Sequence, residues 1–463
     1  MKKFLSAFLA AIMVLSTVAC SDSGGGTSSA GSSSSESSSS SSASESSEQE
    51  SSQEEAFSGT ITIACGSLES EAFNQILPEY QKTNPDVNLD IVVTKDVTDF
   101  ETMMTGWIAS DSLPDMYVAQ VGAVEQGYAA NGYLEPLPAE ITDRLIEGDT
   151  ELISYNDQIY AFPMSLSISV MFVNNGVLKE AGIDLNEENY PKCWSEFLDL
   201  CQQCVDHGIE KPVGIAGKDA SEVTAWTFQY IYQSIYGQNP NWYADILRGE
   251  AAWNDDLYLG MFEKYAEMLP YISDDALGVD ADGNRKRFIT GEAPIFFQTA
   301  NSLGNIRLID PEADILLLPS CFTDSPEDQT LISGFDNAIS ITTSAKNKDL
   351  CFDFLDYVTS EEGATIFNTV TTYQPTTKEN NTEMDPAFDL VYKILSNDEL
   401  PNSPILSRQW IPGIKEIMKT GQQNWFAGED AKEVADQIQE EHTRLMEADP
   451  EWVENFLASY VEK

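Results

Sequence analysis

The sequence predicts an α/β protein, and two observations carry that prediction. Short β-branched, apolar runs alternate with stretches of helical periodicity, the pattern of a parallel sheet covered by helices. The chain has 463 residues, 42% of them hydrophobic, which is enough for two or three domain cores. Its charge then limits its partners. Acids outnumber bases 76 to 25, a formal charge of −51. Such a field repels nucleic acid and anionic lipid and keeps the surface solvated. It argues against anionic ligands more than for cationic ones.

Lys2 and Lys3 precede an apolar run over 4–18, too short to span a membrane comfortably. The run ends Thr17-Val18-Ala19-Cys20, which resembles the lipobox of bacterial lipoproteins, with Thr17 where leucine is usual. Residues 1–20 therefore read as a lipoprotein signal peptide, with Cys20 the residue that receives the lipid. Two acyl chains there would hold the protein to the outer face of the cell membrane. Residues 21–57 are Ser- and Glu-rich and cannot bury apolar surface, so they read as a disordered tether. Its root-mean-square span is on the order of 30–36 Å.

The body opens with a strand over 60–64 and a turn at Cys65-Gly66-Ser67. Phe73, Ile76, Leu77 and Tyr80 then share one helix face, with a kink expected at Pro78. A strand over 89–93, a helix over 100–108 and a strand over 116–119 follow. Ligands of parallel sheets bind beyond the carboxyl ends of the strands, which points to Ser67, Glu69 and Gln120. Glu69 reads equally well as an acid placed favourably on a helix N-terminus.

The stretch 155–178 reads polar turn, strand over 159–162, Pro163, strand over 167–174, then the turn Asn174-Asn175-Gly176. Here the sequence resembles the extracellular solute-binding proteins of ABC transporters, in the sugar-binding group that includes maltose-binding proteins. The resemblance extends over about 59–450, through Gly127-Tyr128-Ala129-Ala130-Asn131-Gly132-Tyr133-Leu134, the helix start at Pro191-Lys192-Cys193-Trp194 and the segment 287–293. It implies a two-lobe clamp of the type II periplasmic-binding-protein kind, with a hinge between the lobes. The first lobe would hold 59–163 plus 336–372, and the second 164–335 plus 373–463.

The same resemblance implies further ligand-contacting residues. Trp226 matches a tryptophan that packs on sugar, and Tyr230 lies one turn later on the same face. Gln298 and Asn301 follow the strand over 294–297. Phe335 and Asp336 lie in the second crossing between lobes, 333–341. Trp410 follows Pro401-Asn402-Ser403-Pro404, where the resembling proteins stack a tryptophan on sugar; as a cleft residue it is expected to be partly exposed. Trp194 would be structural.

Cys201 and Cys204 read as helix packing, since neither a second ligand pair nor a thioredoxin-like strand accompanies them. His207 adds a third group on one helix turn, a strained zinc geometry. Asp280-Ala281-Asp282-Gly283-Asn284 hints at a calcium loop, but Gly291 stands where the twelfth-position Glu is required. The segment reads as a turn. Val434, Ile438 and Leu445 mark a terminal amphipathic helix.

Enzyme chemistry finds little support. The two histidines, His207 and His442, both fall on predicted helices. No G-x-S-x-G, H-E-x-x-H, P-loop or dinucleotide loop is present. A glycoside hydrolase needs only two carboxylates and remains the alternative enzyme class. The reading is a monomeric binding protein without metal or cofactor that captures a carbohydrate, an oligosaccharide by expectation, and delivers it to the permease subunits of an ABC importer. A peptide or polyamine binder on the same fold is the other alternative.

Overall fold

The computed structural model describes residues 56–94, 97–148, 150–397 and 399–460, with backbone only at 97–99, 221, 226, 227 and 459. The signal peptide, Cys20 and residues 21–55 of the expected tether lie outside the described residues.

The chain lays down β1 (Ser58–Cys65), β2 (Asp86–Val93) and β3 (Met116–Gln120) with helices between them. A small hairpin follows, β4 (Ser154–Tyr155) with β5 (Gln158–Ile159), and then β6 (Ala161–Pro163) and the long β7 (Leu166–Asn174). The later strands are β8 (Ile295–Thr299), β9 (Ile315–Pro319), β10 (Leu331–Phe335), β11 (Asn337–Ile341) and β12 (Asn402–Ser403).

Ten of these strands form two five-stranded sheets, and the β4–β5 hairpin stands apart. The first has the order β2-β1-β3-β11-β6. The second has the order β12-β10-β7-β8, with β9 continuing beside β7 where β10 leaves off. The sequence pattern implied a parallel sheet, and the structure corrects this: both sheets are mixed. Among the named strands of the described residues, β1–β2, β1–β3 and β10–β12 pair in parallel; β11 runs antiparallel to both its neighbours, and β7 to all of its partners. Parallel pairs need long crossovers. β11 arrives instead through a short passage from β10 of the other sheet, so it enters in the opposite sense, while β6 on its far side runs the same way as β3.

The local signals explain the elements. Alternation in β1 places Ile61, Ile63 and Cys65 in the core. The helix Ser67–Tyr80 buries Ala72, Phe73, Ile76 and Tyr80 and continues past Pro78, which sits in its last turn and forfeits one backbone bond. Phe73 meets Phe367 of the helix Glu361–Thr371 at 5.7 Å between ring centroids. The segment at Asp280 is not a turn: Asp280 caps the helix Ala281–Thr290, its Oδ1 accepting from the Gly283 amide at 3.0 Å, and Gly291 closes that helix at φ 80°. Trp194 opens the helix Trp194–Asp206, stacks on Phe322 and donates Nε1 to Glu267. Cys201 and Cys204 are buried on that helix, and burial pushes the Cys204 thiol up to about 12. His207 is exposed, its Nδ1 2.6 Å from the Ala181 carbonyl.

The second core is dense in aromatic rings, with Trp242 and Trp253 edge-to-face at 4.9 Å. His442 is buried at its margin. Its Nε2 lies 3.2 Å from Tyr243 Oη and its Nδ1 has no partner. Burial lowers its pKa from 6.5 to about 4. The folded state thus holds His442 neutral while the unfolded chain takes up a proton below about 6.5, so this stabilisation is present above that pH and fades as pH falls toward about 4. The stability gap between wild type and His442→Leu is expected to shrink by about 2–3 kcal/mol between pH 7 and pH 4. Urea denaturation at stepped pH measures it, and a constant gap would count against a neutral buried histidine.

Candidate functional site

Three passages of the chain connect the two sheets, and they are laced together. Between β6 and β7, the Met164 amide donates to the Asn337 carbonyl (2.7 Å), and Ser165 accepts from the Asp336 amide on its carbonyl (2.9 Å) and from the Asn337 amide on its Oγ (3.1 Å). The third passage, after Thr371, touches the first where the Leu166 amide donates to the Gln374 carbonyl and Thr376 Oγ1 donates to the Pro163 carbonyl.

A cavity of about 350 Å³ opens between the sheets beside these passages. That volume falls at the lower end of the range for small-molecule sites, about 300–1,000 Å³. One wall comes from the carboxyl end of β3 and the helix after it, including Gln120, Glu125 and Tyr128, together with Phe100 and Glu101. The other comes from Ser167 and Ser169 of β7, Gln298 and Thr299 of β8, the helix Ala220–Tyr230 and the segment Ile405–Lys419.

The second wall depends on a break in helical register. After Tyr230 the helix passes into a π turn, Ile231–Ile235. Such turns occur often at functional sites. Gln233 steadies it by donating to the carbonyls of Ser320 and Thr330. Tyr232 is tied to Ser407, and its carbonyl accepts from Ser403. Phe228, Tyr232 and Trp410 thereby form an apolar wall; the Phe228 and Trp410 centroids lie 5.8 Å apart.

Polar groups converge on Asp336. Its carboxylate accepts from Arg408 Nη2 (2.6 Å), Gln120 Nε2 (3.3 Å) and Asn301 Nδ2 (3.4 Å). Gln120 and Asn301 are thus brought together by Asp336, which lies behind the cavity wall. Gln298 lines the cavity, donating Nε2 to Glu222 at 2.9 Å. Burial pushes the Glu125 carboxyl up to about 7, against hydrogen bonds from Ser340 and Tyr117 that hold it down. Lys415 lies 3.5 Å from Gln120 Oε1; burial and then the Arg408 charge bring its pKa down to about 8.

The other expected site residues are placed differently. Glu69 is buried beside the passages, its Oε1 accepting from Asn337 Nδ2 and Tyr373 Oη, each at 3.0 Å; this is a structural tie, away from the cavity lining. Ser67 is exposed at the first turn of its helix. Tyr230 faces the core, packed edge-on to Tyr265 with its hydroxyl toward the Leu257 carbonyl, because the face it occupies looks away from the cavity. Phe335 packs in the first core, so close to Gly148 that a Cβ there would sit 2.6 Å from the ring. Trp410 lines the cavity but is only 2% exposed, not partly open as expected, since Tyr243, Trp253 and Phe228 surround it. The side chain of Trp226 lies outside the described residues; its backbone belongs to the helix Ala220–Tyr230. Phe228, Tyr232, Arg408 and Lys415 carry no repeat or motif that sequence reading could use. The one available signal was the scarcity of bases, which makes an arginine beside Trp410 notable.

Two sheets joined by three passages around a walled cleft define a binding fold built to hold a solute between its halves. The chain belongs to the bacterial extracellular solute-binding protein family, whose model matches residues 66–365; members bind solutes and are not catalysts. Similar solved structures include a chitin oligosaccharide binding protein, with 16% identity, a TM-score of 0.71 and coverage of 84% of this chain and 99% of that one. RafE in complex with raffinose aligns at 17% identity and a TM-score of 0.70, covering 84% of this chain and all of the other. A sugar transporter from Bacillus licheniformis in complex with stachyose aligns at 18% and 0.68, again over 84% and 100%. At these identities the likeness is one of fold. No helix among the described residues is long and apolar enough to cross a membrane.

Proposed function

We propose that this protein captures a saccharide in the cleft and delivers it to the permease subunits of an ABC importer, held to the membrane by lipid on Cys20. The observation that carries this reading is the make-up of the cleft. Aromatic rings such as Phe228, Tyr232 and Trp410 suit the apolar C–H faces of a sugar ring, and the amides and charged groups that share the cleft suit its hydroxyls. The bound raffinose and stachyose of two structural neighbours support it. Calorimetric titration against a panel of neutral and charged oligosaccharides tests it; binding of peptides or polyamines in place of any saccharide would overturn it.

The lobes we assign, 59–163 plus 336–372 and 164–335 plus 373–463, are linked along the chain by the three passages, which absorb the backbone change when the lobes close. Small-angle scattering is expected to show a smaller radius of gyration on saturation with the bound saccharide. An unchanged profile at saturation would refute closure.

A further inference from the structure

Acids outnumber bases about three to one in the whole chain, 76 to 25. The cleft departs from this ratio: Arg408, Lys415 and Lys419 line it against Glu101, Glu125 and Glu416. The acids are largely committed elsewhere. Glu125 is taken up by Tyr117 and Ser340, and Glu416 by Lys419.

Arg408 is the unusual group. It is 6% exposed, on the turn Leu406–Gln409, with its carbonyl so near Gly122 that a Cβ there would lie 2.8 Å away. Its Nη2 bonds Asp336, but Nε and Nη1 are buried with no partner. A guanidinium has five donors in a fixed fork, and leaving charged donors unmet in a buried site is costly. Lys415 opens from the first turn of the helix Ile414–Phe426 onto the same cleft, and its closest acceptor is the Gln120 amide oxygen at 3.5 Å. The positive field of Arg408 outweighs that of Glu101 at Lys415. Two buried-side cations thus face one cavity with donors to spare.

We infer that the solute carries an anionic group, a carboxylate, received by Arg408 and Lys415. Resting on the saccharide reading above, the solute class is an acidic oligosaccharide containing uronic acid. A free guanidinium donor of Arg408 meets a carboxylate oxygen in a charge-assisted bond, and Lys415 adds a point charge. The surrounding negative charge of the chain does not forbid this, because exposed charges are screened beyond about 8 Å at physiological salt, whereas the buried pair is screened much less.

The test compares matched ligands by calorimetry at pH 7: oligogalacturonides and oligoglucuronides, their neutral methyl esters and unoxidised counterparts, and a carboxylate probe without sugar, hippurate. The acidic member of a matched pair is expected to bind roughly 10- to 100-fold more tightly than the neutral one. Lys415→Met is expected to reduce that ratio about tenfold. Neutral saccharides binding as well as acidic ones would overturn the inference and leave the saccharide reading standing. Binding of hippurate and no saccharide would keep the anion site and overturn the saccharide reading. No binding across the panel would overturn both.

Discussion

Asp336→Ala is expected to destabilise the protein by about 3–5 kcal/mol, the largest loss of any single polar substitution described here. The reason lies in what the carboxylate leaves behind. Arg408 would stay buried with its charge uncompensated, and Gln120 and Asn301 would lose their shared acceptor. Removing one partner of a buried pair costs far more than replacing both with apolar groups. The double variant Asp336→Ala, Arg408→Met is therefore expected to recover part of the loss. The backbone ties of residue 336, to the Ser165 carbonyl and from the Val121 amide, do not depend on the side chain and remain. Urea denaturation of the two variants measures the difference. A double variant no more stable than the single one would show that the pair carries no such penalty.

Trp410→Ala is expected to cost about 3–5 kcal/mol of stability, as for other large aromatic residues deleted from a core. The ring packs against Trp253 at 5.2 Å, Tyr243 at 5.6 Å and Phe228 at 5.8 Å, and its Nε1 lies 3.4 Å from Tyr236 Oη. The sequence alone suggested a partly exposed sugar platform whose removal would spare the fold. Burial reverses that balance: stability falls first, and affinity falls with it because Phe228 and Tyr232 lose their backing. Trp410→Phe keeps most of the packing and is expected to retain most of both. Thermal melts paired with ligand titration distinguish the cases; an unchanged melting temperature for Trp410→Ala would refute the core role.

The strands were legible because their signals are local. Runs of Ile, Val and Thr between turn residues mark 60–64 and 167–174, within a residue or two of β1 and β7. The helix carrying Phe73, Ile76 and Tyr80 was equally plain from its period. Strand direction was not legible, because the partners of β11 and β6 are chosen by passages distant in sequence. The facing of helix residues was half legible: periodicity says that Trp226 and Tyr230 share a face, but not which way that face looks. The π turn after Tyr230 then shifts the register and turns Tyr232 to the cleft. Of the residues that line the cavity, Gln120 was reached from a strand end, and Gln298 and Trp410 from the resemblance to sugar-binding proteins. Arg408 and Lys415 were not, since a lone cation has no periodic signature and its meaning comes only from burial.

The position of β11 also governs the order in which the chain can become ordered. It lies between β3 and β6, yet both leave the ribosome long before Asn337–Ile341 is made. Until then neither has its neighbour on that side, and Glu125 lacks the Ser340 hydroxyl. Pairings so remote in sequence raise contact order and slow folding. A chain cut short before Asn337 is therefore expected to leave the first sheet split, with β2-β1-β3 parted from β6.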